Sequence, residues 1–241
     1  MAARDAIALA VDLPLPEGLA AWEQVAPHVG VAKVGLSLFV EHGPRAVDEF
    51  LRRGARVFLD LKLHDIPNTV ELAAARAGSL GVSYLTIHAS GGADMVKAAV
   101  AGATNGAAKN GHQPPIILAV TVLTSMNELA LRETGVPAVP DAQAALLAEL
   151  AVKNGAPGLV CSAREVASVR ARVGAGIVLC TPGIRPVGAA ANDQSRTETP
   201  ASAIRAGADL LVVGRPITSA SNMTAAAKAI EAEIRGEAQT R

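Results

Sequence analysis

Asp60, Lys62 and Asp65 stand in the run Phe58-Leu59-Asp60-Leu61-Lys62-Leu63-His64-Asp65-Ile66-Pro67-Asn68-Thr69, where carboxylates and an ammonium interrupt an otherwise apolar stretch. A charge is costly inside an apolar strand unless it is paired or faces water. Val57 to Leu63 has the content of a strand buried on both faces, and Pro67 forbids its continuation. Asp60 and Lys62 then point to one face, about 6.6 Å apart along the strand, while Asp65 lies past the strand end. A buried ion pair that only sets register is the bland account, and such pairs are weak evidence for stability. The chemical account is that charges placed at such cost on one face of an apolar strand serve a reaction rather than the fold.

Further polar residues fall at the ends of apolar runs: Asp12, His88, Thr121, Thr124, Ser162, Arg185 and Arg215. Lys33 comes early in its run, among Val31, Val34 and Leu36, and needs a partner carboxylate or a path to water along its stem. His88 and Ser162 suit core hydrogen bonding as well as chemistry. Val212-Val213-Gly214-Arg215-Pro216-Ile217-Thr218 reads as a phosphate cradle: Gly214 allows close backbone approach, Pro216 suits a first helical turn, and Arg215 offers a planar two-pronged donor. The polar segment from Thr181 to Pro200 is long enough for a lid, with Arg185 and Gln194 placed to close over an anion.

The elements that position these residues alternate regularly. Strands are predicted over Ala6–Leu13, Ala32–Phe39, Val57–Leu63, Tyr84–Ala89, Ile116–Leu123, Gly158–Ser162, Gly176–Thr181 and Leu210–Gly214. Helices are predicted over Glu17–His28, Pro44–Arg53, Thr69–Leu80, Ala93–Asn110, Asp141–Asn154, Ala163–Arg172, Pro200–Ala206 and Asn222–Arg235. Gly54, Gly81, Gly111, Gly155 and Gly207 mark helix ends. Eight β/α units in 241 residues predict an α/β fold, a closed (β/α)8 TIM barrel spanning 1–241 as a single domain, rather than a doubly wound sheet with a glycine-rich first turn. In such a barrel chemistry gathers at the C-terminal ends of the strands, where the polar residues above fall.

Composition narrows the function. At 50% hydrophobic and 18% charged the chain is too apolar for disorder. With 22 basic and 22 acidic residues it lacks the basic excess expected of a nucleic-acid or membrane-surface binder, and 2% aromatics leave no base-stacking platform. No apolar run approaches a membrane span, and Asp12 and Pro14 interrupt Ala6 to Val11 too early for an export signal. Cys161 and Cys180 lack metal-site spacing and read as buried reduced thiols, which suits a cytoplasmic protein.

With these pieces in place, the chain resembles the orotidine 5′-phosphate decarboxylase family in its bacterial single-function form. The resemblance rests on the Asp60-to-Thr69 run, on Thr121-Val122-Leu123-Thr124-Ser125, on Thr181-Pro182-Gly183-Ile184-Arg185, on Asp193-Gln194-Ser195-Arg196 and on Val213-to-Thr218, in that order. It implies conversion of orotidine 5′-phosphate to UMP, the last step of de novo pyrimidine synthesis, with no metal and no organic cofactor. It further implies that Asp12 and Lys33 hold ribose hydroxyls, that Asp60, Lys62 and Asp65 form the catalytic centre, and that Thr69 and Thr124 contact the ligand. Arg185, Gln194, Gly214 and Arg215 would bind the 5′-phosphate. Asp65 would project into a neighbouring subunit's site, making a homodimer the working unit. The rival reading is a metal-dependent aldolase or decarboxylase of keto-sugar phosphates on the same scaffold, which would carry a carboxylate where this chain has Lys33. A catalytically silent phosphosugar-binding barrel is the reading from another class, and it gives Asp60, Lys62 and Asp65 no task.

Overall fold

The structure is a computed structural model that describes residues 2–186 and 198–238. Apolar, β-rich runs too short for stable helices form the strands β1 (Ile7–Val11), β2 (Val31–Gly35), β3 (Arg56–Leu63), β4 (Tyr84–His88), β5 (Ile116–Val120), β6 (Gly158–Val160), β7 (Val178–Thr181) and β8 (Leu210–Val213). All neighbours pair in parallel, and β8 returns to β1, so the predicted closed eight-stranded barrel is what forms. Closure leaves no strand edge unpaired.

Around the barrel run α1 (Leu15–Val25), α2 (Leu36–His42), α3 (Pro44–Arg52), α4 (Pro67–Ser79), α5 (Ala93–Lys109), α6 (Glu128–Glu133), α7 (Pro140–Lys153), α8 (Val166–Val173), α9 (Pro200–Ala206), α10 (Arg215–Thr218) and α11 (Met223–Ala238). Proline occupies the first turn of α1, α3, α4, α7, α9 and α10, where its fixed φ suits a helix and its missing N–H is not needed. The glycines expected to stop helices, Gly54, Gly81, Gly111, Gly155 and Gly207, all carry positive φ.

The second strand departs from expectation. It ends at Gly35, and Leu36-Ser37-Leu38-Phe39-Val40 is helical rather than extended. Only Leu38 of that run is buried, whereas Leu36 is 52% and Val40 83% exposed, so its apolar content reflects a surface rather than a strand core. The short helices α2, α6 and α10 were not among the predicted elements.

Period-two alternation divides the buried side chains into two layers. Ile7, Leu9, Val57, Leu59, Leu85 and Ile87 face the helices, while Ala8, Val31, Phe58, Tyr84, Leu118, Cys180 and Leu210 fill the barrel interior. At the lower end of the interior Arg56 donates to the Tyr84 hydroxyl at 2.8 Å. One helix pair is packed to backbone contact. A Cβ at Gly102 would sit 2.2 Å from the Glu71 carbonyl oxygen, and one at Gly106 would sit 1.9 Å from that of Ala75. Glycine at these positions lets α5 lie directly on α4, fixing the helix whose first turn follows Asp65.

Candidate active site

The same alternation that puts Phe58 in the interior carries the next inward positions upward: Asp60 on β3, Lys33 on β2, Ala10 and then Asp12 after β1, Thr86 on β4, with Lys62 joining them from an irregular stretch of β3. These side chains line a cavity of about 270 Å³ at the C-terminal end of the barrel. Its apolar wall comes from residues including Val120, Val122, Val160, Cys161, Pro182 and Val212. Apolar walls with a few convergent polar groups are the ordinary make-up of a small-molecule site.

Charges alternate along one side of this cavity. Lys62 Nζ donates to Asp60 Oδ1 at 2.8 Å, Lys33 Nζ lies 3.4 Å from Asp60 Oδ2, and Lys33 Nζ also lies 3.9 Å from Asp12 Oδ1. Lys33 therefore has the partner carboxylates it required and does not run to the lower rim. Asp60 is 9% exposed. Burial by itself would raise its pKa, but the charges of Lys33 and Lys62 with hydrogen bonds from Lys62 and Thr86 outweigh burial and leave its carboxyl below the usual aspartate range. A side chain at position 35 would press on this network, since a Cβ there would come 3.3 Å from Lys33 Nζ.

Arg185, Gly214 and Arg215, which follow β7 and β8, line the same cavity, as does Thr124. Arg185 is 8% exposed, its Nη1–H donates to the Ile184 carbonyl at 2.9 Å, and its buried Nε–H has no hydrogen-bond partner among the described residues. Burial lowers its pKa, and the charge of Arg215 lowers it further. A buried guanidinium with an unpartnered Nε–H and a second arginine on the same lining suit an anionic group.

Asp12, Lys33, Asp60, Lys62, Thr124, Arg185, Gly214 and Arg215 are thus gathered in one cavity. Asp65 and Thr69 are not part of it. Both are exposed at the start of α4, where Asp65 Oδ1 accepts from the Ile66 N–H at 2.6 Å. Gln194 lies outside the described residues. The weaker candidates stand apart from the cavity as well. His88 is half-buried beside His64, their ring centroids 5.2 Å apart, and burial followed by the charges of His64 and Lys62 holds its pKa down. Thr121 donates to the Val160 carbonyl at 3.0 Å, and the Ser162 N–H donates to Glu165 at 2.9 Å. Cys161 and Cys180 are free, buried thiols as expected, and burial together with the Glu165 charge pushes Cys161 up to about 12. One lining residue escaped the sequence reading: Thr86, whose hydroxyl donates to Asp60 Oδ1 at 2.8 Å and accepts the Lys62 N–H at 2.9 Å. Among the described residues no group of three or more His, Cys, Asp or Glu could hold a metal ion, and no helix is long and apolar enough to cross a membrane.

Fold and site together define a (β/α)8-barrel enzyme whose cavity holds both a lysine and aspartate network and a pair of arginines. Comparison with known proteins makes this specific. The sequence pattern of the "Orotidine 5′-phosphate decarboxylase / HUMPS family" matches residues 5–230, and the chain belongs to that family. It is 56% identical over 210 residues to orotidine 5′-phosphate decarboxylase of Anaeromyxobacter sp. (strain K), covering 87% of this chain and 89% of that protein. The identity to the protein of the same name from Thermobifida fusca is 50% over 232 residues, 95% of each chain. Among solved structures, orotidine 5′-phosphate decarboxylase from Lactobacillus acidophilus superposes with a TM-score of 0.84 at 36% identity, covering 96% of this chain and 99% of that one.

Proposed function

We propose that this protein is a cytoplasmic orotidine 5′-phosphate decarboxylase that forms UMP without metal or cofactor, using Lys62 as the proton donor. The observation that carries this reading is the Lys33–Asp60–Lys62 network, which presents a fixed ammonium inside a cavity that also holds Arg185 and Arg215. Arg185, Arg215 and Gly214, with Gln194, take the 5′-phosphate. Asp12 and Lys33 take ribose hydroxyls, and Thr124 contacts the ligand near the ribose or base. The pyrimidine then lies with C6 at Lys62. The bond from C6 to its carboxylate breaks heterolytically, carbon dioxide leaves, and the electron pair remains on C6 with no adjacent carbonyl to accept it. The Lys62 ammonium stabilises that pair and gives C6 a proton, after which solvent reprotonates the amine. Because the network is held in place before the substrate arrives, little reorganisation accompanies the development of charge. Contacts to the remote phosphate contribute binding energy that favours closure around the transition state.

Asp65 and Thr69 lie outside their own chain's cavity, and exposed Ile66 and Leu72 accompany them on the same helix start. Exposed apolar groups beside functional side chains suit an interface. In this reading two copies pair through that face as a homodimer, and Asp65 with Thr69 completes the partner's site.

The metal-dependent rival needs a carboxylate where Lys33 stands. Here the Lys33 ammonium already lies 3.4 Å from Asp60, and a divalent cation would be repelled by it. Following the loss of orotidine 5′-phosphate absorbance by purified protein in excess EDTA tests the proposal: turnover is expected to persist. Activity that appears only on adding magnesium would hand the site to the rival chemistry.

The phosphate role is tested separately with Arg215→Ala. Loss of charge-assisted hydrogen bonds should weaken UMP binding by about 10- to 100-fold while uridine affinity stays within about 3-fold. Calorimetric titration with both ligands reads this, and equal losses would remove the phosphate from Arg215.

A further inference from the structure

The strand that carries Lys62 is not regular. Between the pairs Leu59↔Leu85 and Leu63↔Ile87, β3 advances four residues while β4 advances two. Lys62 lies within this irregular stretch and has φ 48°, the one positive φ of a non-glycine residue among those described. A side chain in this region is strained, and such strain persists only where the surroundings enforce it. The bulge also removes the ordinary ladder partner for the Lys62 amide.

Thr86 supplies what the ladder does not. Its Oγ1 accepts the Lys62 N–H at 2.9 Å and donates to Asp60 Oδ1 at 2.8 Å, the same oxygen that receives Lys62 Nζ at 2.8 Å. These contacts close a ring through Lys62 backbone, Thr86 hydroxyl, Asp60 carboxylate and Lys62 ammonium. Its direction is determined. A backbone N–H can only donate, so the Thr86 hydroxyl must accept there and direct its own proton at the carboxylate. Thr86 is 1% exposed on β4 and β-branched, so its rotamer is restricted.

We propose that Thr86 is a positioning residue: its single hydroxyl holds the Lys62 bulge and orients Asp60, so that the Lys62 ammonium is aimed into the cavity before any ligand binds. The proposal rests on the reading of Lys62 as proton donor. It assigns Thr86 no contact with substrate.

The test compares the parent protein with Thr86→Val, which keeps shape and removes both hydrogen bonds, and Thr86→Ser, which keeps the hydroxyl. Three quantities are read: kcat with orotidine 5′-phosphate, Kd for UMP, and hydrogen exchange at the Lys62 amide. For Thr86→Val we expect kcat to fall by about 10- to 100-fold with Kd for UMP within about 3-fold, and the Lys62 amide to lose protection. Thr86→Ser should restore protection and most of kcat. Thr86→Ala removes the same hydroxyl and replaces the valine protein if that one does not fold. An unchanged kcat in Thr86→Val overturns the proposal. So does a loss of UMP binding in step with kcat, which would mark a general structural role, or a serine variant no better than valine. If the parent itself fails to turn over, the decarboxylase reading falls, and Lys62 protection unchanged in Thr86→Val would still refute the positioning role.

Discussion

Lys62→Ala is expected to lower kcat for orotidine 5′-phosphate by a factor on the order of 10⁴ or more, because general acid catalysis and electrostatic stabilisation are lost together. Binding of UMP should change little, since the product carries no group at C6 that needs the ammonium. The fold should survive the change. Lys62 is only partly buried, with 32% of its side chain exposed, and Asp60 keeps Lys33 at 3.4 Å and the Thr86 hydroxyl at 2.8 Å after Lys62 is truncated. Asp60 is therefore not left as an isolated buried charge, the situation that makes breaking a buried pair so destabilising. The measurement is single-turnover product formation beside a UMP titration of the same preparation. Turnover near the parent level would remove Lys62 from the reaction, and loss of UMP binding in proportion to kcat would make it a binding residue instead.

Much of this site is legible in the sequence because its residues break local rules. Asp60 and Lys62 sit in an apolar strand, Lys33 sits inside another, and Gly214-Arg215-Pro216 combines close approach, charge and a helix start. Each violates the preference of its surroundings, and such violations collect at functional sites. Residues that obey local rules give no such signal. Thr86 is a β-branched residue in a strand, as its propensity dictates, and its hydroxyl matters only because β3 slips past β4 at that level. The slip itself has no local mark. Asp60-Leu61-Lys62-Leu63 contains no glycine or proline to announce a bulge, so the sequence reads as regular strand, whereas β3 advances four residues against two of β4 and Lys62 takes φ 48°.

The second strand teaches the converse. Leu36 to Phe39 is largely apolar and reads as continuing strand, yet the chain turns there into α2, with Leu36 and Val40 exposed. Hydrophobic runs mark surfaces excluded from water in the working assembly, and within one chain they cannot be told from core. Leu36, Val40, Ile66 and Leu72 are exposed on α2 and at or near the start of α4, the elements that follow β2 and β3. If a second copy covers them, their apolarity needs no other account.

That pairing leads to the second large effect. A site built from Lys62 of one copy and Asp65 of the other makes Lys62→Ala and Asp65→Ala each nearly inactive alone. Mixed after subunit exchange, they should recover activity. In a hybrid dimer one site combines Lys62 from the Asp65→Ala copy with Asp65 from the Lys62→Ala copy and is intact, while the other site lacks both groups. Random exchange makes half of the dimers hybrid, so the mixture should reach about one quarter of parental specific activity, as expected for a two-fold interface in which each copy completes the other. If Asp65 served its own chain's cavity, every site in the mixture would lack one group or the other, and no recovery would occur. The carboxylate of Asp65, exposed and outside that cavity in the single chain, favours the first outcome. Assaying each variant alone before mixing separates rescue from contamination. A trace of parent enzyme is active in the unmixed preparation, whereas hybrid dimers, and the activity they carry, arise only after the two variants have exchanged subunits.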